Sequence, residues 1–210
     1  MSDLRYFVLG AGDHACVVGS IGGDKVRGFV DIFNNRVYLG APSLKERVCG
    51  NLNWFNRRLS SLPEKPNAIV AFGNSTIRKR VFESYIKQVN FINVISDKSY
   101  IDRTVHLGIG NFVGTFAVIN TDALVGNNCI INTAAVIEHH CCIGNNVNIA
   151  PGVKMAGNVT ISDNSLIGVG ATILEGVFVG KDAIIGAGAN VIRDVNAGDT
   201  VVGNPAKSLK

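Results

Sequence analysis

The 210 residues carry a net charge of +4 and are 47% apolar, enough to bury a core and too apolar for a disordered chain. No run of 18 apolar residues is present, so no membrane span is expected. Scattered Lys and Arg with only 7% aromatics argue against a nucleic-acid groove. The N-terminus shows no basic-then-apolar leader and the five cysteines have no paired spacing, which points to reduced thiols in a cytoplasm.

Tyr6-Phe7-Val8-Leu9 is an apolar run of buried-strand length, followed by Gly10-Ala11-Gly12-Asp13-His14-Ala15. The pattern predicts a helix from Asp13 and a second strand over Val26–Asp31, whose last residue lies 19 after Gly12. A third strand is expected over 68–72. Gly73-Asn74-Ser75 then caps a helix with an apolar face of Ile77, Val81, Tyr85 and Val89. A fourth strand is expected over 91–95. Alternating strands and helices read as a small parallel α/β sheet. A Gly-rich turn between strand and helix offers backbone N–H groups to a phosphate, and an acid about 20 residues on can hold a ribose or base. A tight turn without ligand uses the same residues.

Beyond residue 100 the chain changes character. Residues 101–196 hold 11 of the 36 charged residues, and Gly and Asn are abundant there. Every sixth residue from Ile101 to Val191 is aliphatic or Met, sixteen in a row without an insertion. Four residues after each, the side chain is small or Val, with Asn111 the exception. A six-residue unit is too short for a helical repeat and suits one short strand plus a corner. Three units close a triangular coil of 18 residues, so residues 18 apart stack. Coils rising about 4.8 Å each give a prism roughly 25 Å tall over five coils. Each buried aliphatic contributes roughly 1.5–3 kcal/mol before chain entropy is subtracted.

This half resembles the hexapeptide-repeat acyltransferases, and Gly203-Asn204-Pro205-Ala206-Lys207 is similar to their Gly-x-Pro-Ala-Lys ending. The two halves together resemble the nucleotide-sugar acetyltransferases of the bacillosamine, perosamine and sialic acid type. The carrying residues are Gly12-Asp13-His14, Asp31, Gly73-Asn74 and Glu138-His139-His140-Cys141. The resemblance implies a Rossmann-like nucleotide-sugar-binding domain over 1–97 and a left-handed parallel β-helix over 98–210 that binds acetyl-CoA. It implies a cytoplasmic homotrimer serving glycan or O-antigen lipopolysaccharide biosynthesis, with acetyl-CoA and a UDP-, dTDP- or GDP-linked amino sugar as its partners and neither nucleic acid nor membrane. Two positions depart from the family pattern. Ile32 stands where an acidic pair has its second acid, and His140 stands where an acid follows the catalytic histidine.

The implied chemistry moves acetyl from a thioester to a 4-amino group. A base must take a proton as the tetrahedral intermediate forms, and histidine, with an unperturbed pKa of about 6.5, suits that task. His139 occupies the third place of its hexad, near a corner and outward. A solvated imidazole would occupy the same place. Glu138 or a backbone carbonyl is expected to set its tautomer, with His140 as a further catalytic candidate. Gly157, 18 residues on, is expected to give an oxyanion donor. Carried across by resemblance, acetyl-CoA contacts fall on Asn148, Gly157, Val169 and Ala187. Nucleotide-sugar contacts fall on Gly12, Asp13, His14, Asp31, Gly73 and Asn74. Lys207 and Lys210 are candidates for CoA phosphates, or solvated tail lysines.

The run His139-His140-Cys141-Cys142 suggests a metal cluster at first sight. The hexad sends Cys141 inward and Cys142 away, whereas zinc needs convergent ligands, so no metal is expected. Three other functions fit parts of the sequence. They are a sialic-acid-type sugar O-acetyltransferase, a metal-dependent β-helix hydratase requiring three spaced histidines, and a non-catalytic nucleotide-binding module.

Overall fold

The computed structural model describes residues 5–33 and 47–209. The chain divides into two compact units, Met1–Val94 and Ile95–Lys210.

The first unit is built on five parallel strands: β1 (Tyr6–Leu9), β2 (Val26–Asp31), β3 (Val48–Asn51), β4 (Asn67–Val70) and β5 (Asn90–Phe91). Their order is β3-β2-β1-β4-β5. The apolar run of β1 is buried along its whole length because it lies at the sheet centre. Among the described residues three α-helices lie between strands: α1 (Asp13–Gly22), α2 (Leu52–Ser61) and α3 (Ser75–Tyr85). The Asn51 and Asn74 side chains cap α2 and α3 by accepting from Trp54 N and Ile77 N, each at 3.0 Å. Phe55 of α2 sits edge-on to Phe7, with ring centroids 5.5 Å apart. Val81 and Tyr85 of α3 join the same core, as expected from their spacing, and Val89 joins it from just beyond the helix.

Two elements here were not expected, β3 and α2. The strand is short and only partly buried, and α2 is polar apart from Leu52, Trp54, Phe55 and Leu59, so neither makes a long apolar pattern. The expected strand over 91–95 is two strands. Asn90–Phe91 pairs with β4, while Val94–Ile95 opens the eight-stranded face of the second unit.

The second unit is a parallel β-helix. Two-residue strands recur every six residues and fall into three sheets. Pairing follows the 18-residue interval as far as Val191, for example Val118 with Val136, Leu124 with Cys142, and Ile130 with Asn148. The last coil is two residues shorter, so Ile184 pairs with Thr200 and Val179 with Val195. Ile119, Ile131, Ile137 and Ile149 are fully enclosed, as are the small residues Ala117, Ala123 and Ala135 that let the walls approach. Asn111, the exception, is also fully buried. Its amide donates to the Gly126 carbonyl and accepts from Cys129 N, so the column admits a polar side chain whose hydrogen bonds are met.

The composition of this half has a backbone cause. The third residue after the aliphatic takes positive φ in every hexad from Leu107 to Ile185, as at Asp122, Asn128, His140, Asn146, Gly152, Asn158 and Asn164. Gly, Asn and Asp tolerate that conformation best. On one corner these residues form a ladder, Asn128 to Asn146 to Asn164 to Asp182, each amide donating to the side-chain oxygen of the next.

Candidate active site

In the first unit, the expected nucleotide-sugar residues collect at the carboxyl end of the sheet. Gly12, Asp13 and His14 follow β1, Asp31 ends β2, and Gly73 and Asn74 follow β4. The chain winds one way from β1 to β2 and the other way to β4. The crevice between β1 and β4 is therefore the switch point at which open α/β sheets bind ligands. The loops after β1 and β4 nearly touch. A Cβ on Gly10, whose φ is +140°, would lie 2.7 Å from the Ala71 carbonyl oxygen. Gly12 has open space where a Cβ would be and is the N-cap of α1, whose first N–H groups have no side-chain cap. Asn74 spends its side-chain oxygen on capping α3. Asp31 is buried at its strand end.

Arg78 carries no signal in the sequence. It lies on α3 yet is only 1% exposed, and its Nη1 donates to the carbonyls of Phe72 (3.1 Å) and Gly73 (3.4 Å). It braces the loop after β4. Its charge also reaches His14. Burial first, and then Arg78, push the His14 imidazole down to about 4. His14 is therefore neutral at pH 7 and can meet a phosphate only by a hydrogen bond, without charge. A stability effect follows. The unfolded imidazole binds a proton near pH 6.5 and the folded one only near 4. The stabilisation from keeping His14 neutral is complete above pH 6.5 and is lost as pH falls to 4, up to about 3 kcal/mol. Urea unfolding of a His14→Gln variant should show a flatter stability profile across that window than the wild type.

On the β-helix, His139 is exposed at a corner and stands over Gly157 of the next coil, as the 18-residue interval requires. The corner is tied together by Asn158 N donating to the His139 carbonyl at 2.9 Å. The His139 Nδ1 lies 3.0 Å from the Nδ1 of His140, with the rings edge to face. Glu138 is turned elsewhere, and its carboxylate accepts from the Asn120 amide at 2.9 Å. A Cβ on Gly157 would collide with His139 Cε1 and come within 2.7 Å of Nε2. Gly157→Ala should therefore swing the imidazole off its corner. We expect a loss in kcat of about tenfold or more with little change in melting temperature, because the exposed ring has solvent to move into.

Of the expected acetyl-CoA residues, only Gly157 shares the His139 corner. Val169 and Ala187 stack on another corner, linked by Gly188 N donating to the Val169 carbonyl. Asn148 lies on the eight-stranded face between corners. Within one chain these residues form two separate groups. The five-stranded face, which begins just after His140, carries a shallow groove of about 630 Å³ lined by Leu124, Cys142, Thr160 and Lys181 among others. Lys207 lies in a short antiparallel strand at the end of the prism, and Lys210 is outside the described residues.

Cys141 points into the column, where its thiol donates to the Ala156 carbonyl and burial pushes it up to about 11. Cys142 is exposed on the outer face. The two thiols diverge. Among the described residues no group of three His, Cys, Asp or Glu side chains converges on a metal position.

Comparison with known structures places the whole chain. It is 30% identical to a histidine-to-asparagine variant of perosamine N-acetyltransferase from Caulobacter crescentus, in complex with CoA and GDP-perosamine. That match covers 98% of this chain and 97% of the other, with a TM-score of 0.87. The acetyltransferase domain of PglB from Neisseria gonorrhoeae, in complex with acetyl coenzyme A, is 30% identical over 98% and 99% of the two chains, at TM-score 0.86. WeeI from Acinetobacter baumannii is 28% identical over the same shares, at TM-score 0.83. No protein-family profile and no curated protein matches the sequence. A six-residue β-helix with a corner histidine, preceded by a parallel α/β unit, defines an acetyl-CoA-dependent sugar acetyltransferase. The chain belongs to the hexapeptide-repeat nucleotide-sugar acetyltransferases.

Proposed function

We propose that this chain transfers acetyl from acetyl-CoA to the 4-amino group of a nucleotide-linked dideoxy-amino sugar, with His139 as general base. The supporting observation is the likeness over 98% of the chain to an enzyme crystallised with both CoA and GDP-perosamine. In this reading the first unit is a Rossmann-like domain. It holds the nucleotide at the β1/β4 crevice through Gly12, Asp13, His14, Asp31, Gly73 and Asn74. The β-helix holds acetyl-CoA along Asn148, Gly157, Val169 and Ala187.

The amine lone pair attacks the thioester carbonyl carbon. His139 Nε2 takes a proton from the nitrogen, and the Gly157 N–H faces the oxyanion. Collapse breaks the C–S bond and releases CoA with a proton returned to sulfur. Bringing the two substrates together supplies several kcal/mol of the barrier.

The working form is a homotrimer. Val169 and Ala187 sit on a different corner from His139, so a ligand touching both groups fits a seam between two copies. Leu124 and Phe178, each about half exposed on the five-stranded face, give such a seam an apolar lining. None of the five cysteines is in a disulfide, which suits a cytoplasmic enzyme feeding O-antigen or glycan synthesis.

The test is acetyl-CoA consumption with UDP-, dTDP- and GDP-linked 4-amino sugars, with the product identified by mass. Acetylation of the sugar nitrogen is expected, and no turnover with any of them would reject the reading. Asp31→Ala should raise KM for the sugar nucleotide at least about fivefold, the loss of one charged hydrogen bond, and leave KM for acetyl-CoA unchanged. Equal effects on both would overturn the division of labour between the units.

A further inference from the structure

The residue that orients His139 is a second histidine, and that histidine has a carboxylate behind it. His140 Nδ1 is 3.0 Å from His139 Nδ1. On its far side, His140 Nε2 is 3.6 Å from Asp122 Oδ2. Asp122 is the residue 18 before His140, one coil away on the same corner, and the backbone binds them too, with His140 N donating to the Thr121 carbonyl. Both residues hold positive φ, +56° and +58°.

We propose that Asp122 and His140 are positioning residues that fix the tautomer of His139 and stabilise its protonated form. This rests on the reading of His139 as the base. Two Nδ1 atoms at 3.0 Å share one proton, so one ring donates and the other accepts. The Asp122 carboxylate draws the proton of neutral His140 to Nε2. His140 Nδ1 is then the acceptor, and His139 must donate from its own Nδ1. That leaves the lone pair of His139 on Nε2, in a ring that lies over Gly157. A neutral imidazole in this tautomer is a base on its outward side.

When Nε2 takes the proton from the acceptor amine, the positive charge on the His139 ring is shared across the Nδ1–Nδ1 bond and faces Asp122. No proton leaves the chain and no further reactant is needed. The other acids on this corner are engaged elsewhere, Asp102 with Thr104, Glu138 with Asn120, Glu175 with the Asn158 amide and Asp194 with Phe178 N. Both Asp122 and His140 are more than half exposed in the single chain, where water weakens such a pair. Bound substrates that exclude water strengthen it.

The experiment is steady-state kinetics across pH on the full chain. Asp122→Asn keeps a residue suited to positive φ and removes only the charge. Its kcat should fall roughly tenfold, below the ~10²–10⁴ contributed by general-base catalysis as a whole. KM for both substrates should hold within twofold. The acid-limb midpoint of kcat/KM should move to lower pH, because a negative charge that stabilises the imidazolium is gone. His140→Gly, which the φ of +58° accommodates, should cost roughly ten- to a hundredfold.

The decisive variant is His140→Asp, which puts a carboxylate directly against His139 Nδ1. Activity should largely return, and adding Asp122→Asn to it should then change nothing. An unmoved kcat and midpoint in Asp122→Asn, or an undiminished effect of Asp122→Asn in the His140→Asp background, would overturn the relay. His139→Ala separates the two levels. If it retains full activity, the base assignment itself fails. If it is inactive while Asp122→Asn and His140→Gly behave as wild type, only the relay fails.

Discussion

His139→Ala is expected to lower kcat by about 10²-fold or more while KM for acetyl-CoA stays within about twofold. The imidazole is exposed on its corner, and His139 ties neighbouring coils together through its backbone carbonyl, which accepts from Asn158 N. Alanine keeps that bond, so the melting temperature should move little. The catalytic loss is then attributable to the missing nitrogen, and a single-turnover measurement locates it in the acetyl-transfer step. A variant with near-normal kcat would remove the general-base role and leave the β-helix as a binding scaffold only.

Arg78→Met should be the most disruptive substitution in the first unit. Methionine fills much of the same space but donates nothing, so the carbonyls of Phe72 and Gly73 lose their buried donor. Two carbonyls left short of partners cost about 2–4 kcal/mol, or roughly 10–25 °C in the melting of a unit this size. The loop after β4, which carries Gly73 and Asn74, should loosen. KM for the sugar nucleotide should therefore rise while KM for acetyl-CoA does not. Loss of the Arg78 charge should also let the His14 imidazole titrate at higher pH, though below its ordinary value, since burial is the larger cause of its shift. NMR titration of the His14 ring checks this directly. An unmoved His14 and an unchanged KM would mean that Arg78 merely fills space.

Different parts of the site were legible in the sequence to different degrees. The column from Ile101 to Val191 was plain because each coil repeats the same burial problem and answers it with the same residue type. The same 18-residue arithmetic set His139 against Gly157 and Cys141 beside Ala123 and Val159. It equally sets His140 against Asp122. Arg78 gave no such signal, because an arginine between Lys79 and Ile77 reads as the wet side of a helix. Helix α2 and strand β3 were missed because their apolar residues are few, and their burial depends on β1 and β2 being already in place.

Period and residue type by themselves determined the β-helix, its register, its core and the corner on which the candidate base stands. They do so because contacts between residues 18 apart are local to a repeating coil and every coil votes for the same register. Only the tertiary structure decided which way the side chains on that corner turn. The positive φ at His140 aims its ring at His139 and leaves Glu138 to Asn120. It also decided that a charged residue, Arg78, would be enclosed. Both outcomes depend on hydrogen bonds whose partners are brought near only when loops and coils close on one another, and no periodicity in the chain encodes that closure.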